Sequence, residues 1–136
     1  MKRIDGSGGV GTRALALGAG LTVLALAGCS HDYWVRFQLL TDAPVDAVVD
    51  RDDIEIPLGY AVAVRALPMR DDEEASSDMK VDLQSRRPST LGVDNGLRDR
   101  EFVIYGSELG TTTVDVYFGD SYADEISATV VPAASR

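Results

Sequence analysis

Sulfur and imidazole are almost missing from this sequence: Cys29 is its one cysteine and His31 its one histidine. A lone cysteine excludes an intramolecular disulfide and thiolate metal clusters. A lone histidine excludes multi-histidine zinc sites and leaves little from which to build a Ser–His or Cys–His pair. Cys29 has small apolar neighbours and no activating base beside it, so nothing marks it as a nucleophile. A long hydrophobic run is missing too. The apolar stretch from Ala14 to Ala27 has 14 residues, whereas a helix crossing a bilayer needs about 20. After residue 30 no extended apolar face at helical spacing occurs.

Basic charge is scarce. Thirteen Lys and Arg face 22 Asp and Glu, for a net charge of −9 over 136 residues. Lys2, Arg3, Arg13 and Asp5 all precede Cys29, so residues 29–136 carry 10 basic and 21 acidic side chains, a net −11. Such a surface repels phosphates, and nucleic acid is excluded as an expected partner. The length allows one domain and little else.

The N-terminal segment has the order of an export signal. Met1-Lys2-Arg3 supplies positive charge, Ala14–Ala27 an apolar core, and Leu26-Ala27-Gly28-Cys29 a small-residue end. That last tetrad resembles the lipobox of bacterial lipoproteins. The resemblance implies that residues 1–28 are a signal peptide and that Cys29 is the lipidation site, carrying acyl chains such as palmitate. One chain holds a protein to a bilayer marginally, and several hold it firmly. Ser30 after the cysteine points to the outer membrane rather than the inner.

From Tyr33 onward the pattern is period two. Val35, Phe37 and Leu39 alternate with Trp34, Arg36 and Gln38, and Ile54 and Ile56 flank Glu55. The same holds for Val62/Val64/Ala66, Met79/Val81/Leu83, Thr112/Val114/Val116/Phe118 and Ile126/Ala128/Val130. Each run is short and rich in β-formers. Turn residues punctuate them at Pro57-Leu58-Gly59, Asp71–Glu74, Arg87-Pro88-Ser89, Asp94-Asn95-Gly96, Leu109-Gly110 and Gly119-Asp120. About seven short strands in about 100 residues predict an all-β, two-sheet antiparallel β-sandwich. The expected layout is a lipidated tether over 29–34 and a sandwich over 35–132.

Residues 54–131 resemble a bacterial Ig-like (Big) domain. The resemblance is carried by Ile56-Pro57-Leu58-Gly59 before the Tyr60–Leu67 strand, Lys80–Ser85, Leu91–Asn95, Phe102–Gly106 and Leu109–Val114, with Ser127–Val131 as closing strand. It implies a non-catalytic module for adhesion, spacing or assembly, and it transfers no active-site residues. The segment before Asp50 has no counterpart and is expected to supply the first strand or a pairing edge.

Two acidic runs are candidate calcium ligands, because calcium prefers several carboxylate oxygens. They are Asp50, Asp52 and Asp53, and Asp71, Asp72, Glu73 and Glu74. Neither has the ligand spacing of an EF-hand or a calcium-binding β-roll, and solvated loops are the competing reading. Trp34 has two readings: a seat in the membrane interface, or packing on a face of the first strand. Arg86-Arg87 reads as an isolated basic pair in an exposed turn. The expectation is a membrane-anchored envelope lipoprotein with no catalytic residues and no cofactor, whose sandwich binds an envelope protein or a glycan. The alternative is a calcium-stabilised adhesion or ligand-binding module.

Overall fold

The alternating runs become strands, and most of their alternate apolar members turn into the core. The computed structural model describes residues 31–44 and 46–134. The segment expected to be an export signal, with Cys29, lies outside the described residues. The strands are β1 (Tyr33–Leu39), β2 (Val48–Val49), β3 (Asp53–Pro57), β4 (Ala61–Arg70) and β5 (Glu73–Glu74). They continue with β6 (Val81–Ser85), β7 (Leu91–Asn95), β8 (Glu101–Gly106), β9 (Gly110–Phe118) and β10 (Ser121–Val131). One sheet has the order β1-β4-β8-β7 with β5 paired to β4, and the other has the order β2-β3-β10-β9-β6. This is the expected two-sheet, all-β, Ig-like sandwich. β1 opens at Tyr33, so Tyr33 and Trp34 are strand rather than tether.

The two inner faces make one core. Val35, Val62, Val64, Leu91 and Ile104 from the first sheet are fully buried, as are Ile54, Ile56, Val114, Val116 and Ile126 from the second. Each such side chain contributes roughly 1.5–3 kcal/mol by leaving water. With no disulfide available, this burial is the main stabilising term. Tyr105 on the outer face of β8 lies across Gly92 of β7, where a Cβ would come within 2.1 Å of the ring. Glycine leaves room there for an aromatic to cover the sheet.

Two features depart from a purely antiparallel reading of the runs. β3 pairs with β10 in parallel, with Ile54 beside Ala128 and Ile56 beside Val130. A parallel neighbour requires a long crossover, and all of β4 to β9 supplies it. β4 also runs through Pro68 to Arg70, past the expected end at Leu67. Proline is tolerated where its missing N–H faces no partner strand. The Ala66 N–H donates to the Arg100 carbonyl on the β8 side. Donor direction alternates along a strand, so Pro68 faces that same side, beyond the start of β8 at Glu101. There Ala75, just past β5, donates to the Pro68 carbonyl at 2.8 Å, so only the return bond of that one edge pair is missing.

Because neighbouring strands reverse, the turns sort to two ends of the sandwich. One end holds His31 with the turns at 50–52, 71–72, 75–80, 96–100 and 119–120. The opposite end holds the turns at 58–60, 86–90 and 107–109.

Candidate functional site

The chain enters the sandwich through a polar lock built on Asp71. The Asp71 N–H donates to the Asp32 carbonyl at 2.7 Å. In return, the Asp32 N–H donates to Asp71 Oδ1 at 3.0 Å. His31 Nδ1 lies 3.1 Å from Asp71 Oδ2, and Arg70 Nη2 lies 2.6 Å from His31 Nε2. Arginine can only donate, so Nε2 accepts and Nδ1–H donates to the carboxylate. Trp34 Nε1 donates to the Asp71 carbonyl at 2.7 Å. Arg51 pairs with Asp32 and sits 4.4 Å above the indole ring. Asp71 has φ of 55°, a left-handed conformation that aspartate tolerates better than most residues. These donors hold the Asp71 carboxyl below its ordinary pKa, the Asp32 N–H most strongly and His31 next. Of the two readings of Trp34, packing on the strand is the one the geometry carries: the indole is half-buried, with its N–H and one face engaged.

One carboxylate in each acidic run is similarly occupied. Asp50 Oδ1 accepts the N–H groups of Asp52 at 3.0 Å and Asp53 at 2.9 Å, closing an Asx turn before β3. Asp71 belongs to the lock. Asp72 completes the β4–β5 turn, and Glu73 and Glu74 form β5 opposite Arg70 and Met69. Among the described residues no three His, Cys, Asp or Glu side chains converge as a metal site. Arg86 is not isolated. Its guanidinium grips Asp115 through Nε at 3.0 Å and Nη2 at 2.8 Å, and reaches Glu125 Oε2 at 2.7 Å. It thereby ties β6, β9 and β10 together across the outer face of the second sheet.

A cleft of about 560 Å³ opens between the turn before β6 and the β7–β8 turn. Met79, Val81 and Phe102 give it apolar wall, and its charged lining balances Lys80, Arg98 and Arg100 against Asp78, Asp99 and Glu101. The β7–β8 turn is closed by the Glu101 N–H on the Arg98 carbonyl at 3.1 Å. Arg100 occupies its third position with φ of 68°, where glycine or asparagine is the usual occupant. A long side chain there costs roughly 1–2 kcal/mol of backbone strain. Arg100 Nη1 is also shut off from solvent with no hydrogen-bond partner among the described residues. Nearby Glu101 is taken by Arg65 at 2.8 Å and Asp78 by Ser76. Leu97, at the tip of the turn, is fully exposed. Sequence reading passes over this cleft, because nothing in Gly96-Leu97-Arg98-Asp99-Arg100 signals which residue takes the left-handed position.

The described residues thus form an Ig-like β-sandwich with the lock and the cleft at the same end. No family model matches the chain, and no curated protein matches it. Among solved structures it is similar to domains 4 and 5 of the S-layer protein SbsC, with a TM-score of 0.47 and 15% identity. That similarity spans 94% of this chain and 89% of that one.

Proposed function

We propose that this protein is a cell-envelope lipoprotein, held to the outer membrane by acyl chains on Cys29, whose sandwich is a non-catalytic binding module. The observation that carries the reading is the Leu26-Ala27-Gly28-Cys29 tetrad at the end of its apolar run, and the lock adds where the folded body begins. One residue, Ser30, separates Cys29 from His31, and the chain is fixed from His31 onward by Asp71 and Asp32. A lipid on Cys29 therefore holds a folded body close to the bilayer, with the His31 end facing it. Free strand edges suit an envelope protein as partner, since β6 and β7 each pair on one side only among the described residues.

Replacement of Cys29 with alanine tests the anchor. The variant is expected to move from the membrane to the soluble fraction and to lose acyl labelling, with the melting temperature unchanged. Full membrane retention of Cys29→Ala sinks the proposal.

A further inference from the structure

We infer that β6 is a self-pairing edge: two copies of this chain join along it, antiparallel across a two-fold axis at Leu83, and their second sheets become one. This deepens the reading of the sandwich as a binding module by making a second copy its partner, and is independent of lipidation. β6 ends its sheet and pairs with β9 alone among the described residues. The Gly119 N–H donates to the Lys80 carbonyl and the Arg86 N–H to the Thr113 carbonyl, both at 2.9 Å. Backbone direction alternates along an edge strand, so Lys80, Asp82, Gln84 and Arg86 face β9. Val81, Leu83 and Ser85 therefore turn their N–H and C=O groups outward. Their free groups are a template for another strand.

Folded proteins guard such edges with proline, bulges, inward charges or shortness. β6 has none of these. It pairs with β9 over five residues without a register shift, and Val81 and Leu83 are its inward side chains. The other three sheet ends are less open. β2 has two residues, and β1 carries Arg36 at its middle and Arg51 over its Trp34. In β7 the Leu91 N–H is committed to the Arg87 carbonyl, and Gly92 weakens the strand.

A second copy is the occupant because the sequence of β6 fits itself. With the axis at Leu83, Val81 falls opposite Ser85 of the other copy, and Leu83 opposite Leu83. Each of these pairs exchanges two N–H···O bonds, so every outward group of the strand is used. On the core side, leucine meets leucine. On the outer face Asp82 falls opposite Gln84, whose amide already donates to Asp82 of its own strand at 2.7 Å. Neighbouring registers are worse. An axis at Asp82 sets that carboxylate against itself, and like charges directly opposite are destabilising. An axis at Gln84 moves Val81 opposite Arg87, outside the strand, and shortens the ladder. Two bodies this acidic repel each other, but Lys80, Arg86 and Arg87 flank β6, three of the ten basic side chains in residues 29–136. They lower the repulsion along this one edge.

The interface is short, so pairing is weak and must be read at high concentration. The test uses the full chain in excess non-ionic detergent with reductant, at about 0.15 M salt to screen the bodies. Sedimentation equilibrium from about 10 μM to about 1 mM protein reads the mass, and amide hydrogen exchange reads the edge. The mass is expected to rise from one chain towards two. Over the same range the Val81, Leu83 and Ser85 amides should gain protection, while Val93 and Asn95 on the β7 edge do not. Ser85→Pro removes an outward N–H and no bond to β9, so it should weaken pairing about tenfold or more with the melting temperature of the dilute protein unchanged. Gln84→Lys sets an ammonium opposite Asp82 of the other copy and should tighten pairing about threefold. A single-chain mass at every concentration, a dimer that leaves those three amides unprotected, or protection that does not depend on concentration would each overturn the inference. So would full pairing by a folded Ser85→Pro; if that variant does not fold, the exchange pattern decides. Failure here, with Cys29-dependent membrane retention intact, removes the dimer and leaves the anchored module standing.

Discussion

Asp71 is the residue on which the entry of the chain depends, and it can be titrated. Its carboxyl is depressed below the ordinary 3.8, first by the Asp32 N–H and then by His31. A depressed carboxyl contributes its full stabilisation above its unfolded pKa and loses it as pH falls through the lower, folded value. The lock should therefore hold at neutral pH and open only as pH falls through that lower value, below 3.8. Trp34 is the one tryptophan and donates to the Asp71 carbonyl, so its fluorescence reports the lock alone. Wild type should change emission only in acid, whereas Asp71→Asn should show the altered emission already at pH 7 with its melting temperature nearly unchanged. The same emission in both proteins at pH 7 would show that the carboxylate does not hold the lock. None of this was legible in the sequence. Asp71 read as one acid in a solvated run or a calcium loop, and its partners His31 and Trp34 lie 40 and 37 residues away. Arg86 was misread for the same reason, since Asp115 and Glu125 reach it only through the pairing of β6, β9 and β10.

Strands with a strict alternation were legible, and the reason is local. In β9 the inward Val114 and Val116 are buried while Asp115 between them faces out, as period two requires. β10 repeats this with Ile126, Ala128 and Val130. Elements whose existence depends on a neighbour were not legible. β2 and β5 have two residues each, too few to carry a period, and exist because β3 and β4 offer them an edge. The Pro68 stop signal was overruled because its donor faces away from β1. The parallel β3–β10 pair is a property of topology and leaves no mark in either strand. β10 is central to its sheet, paired with β3 on one side and β9 on the other. Truncation at its middle should accordingly act on the whole sandwich. Ile126→Ala is expected to cost about 2–5 kcal/mol, read as a lower denaturant midpoint with an unchanged slope. A loss below about 1 kcal/mol would mean that the two sheets are not packed through Ile126.

At the scale of the whole molecule, charge is the dominant feature and sets what added calcium can do. The acids collect at one end: Asp50 and Asp52 before β3, Asp71 and Asp72 after β4, Asp78 before β6 and Asp120 after β9. A calcium site needs several oxygens from separate groups converging on one ion. Here Asp50 Oδ1 is committed to two backbone N–H groups and both oxygens of Asp71 to the lock, and no three acids converge among the described residues. What remains is mutual repulsion, which any divalent cation relieves by screening. Calcium and magnesium at equal millimolar concentration should therefore raise the melting temperature by the same small amount. Monovalent salt of matched ionic strength should account for most of it. A site behaves differently, because stabilisation grows with ligand concentration over its dissociation constant and chelation reverses it. A rise of several degrees with calcium alone, reversed by chelator, would restore the calcium-stabilised reading. It would also place the site on acids that this end brings near one another but leaves without an ion-sized cage.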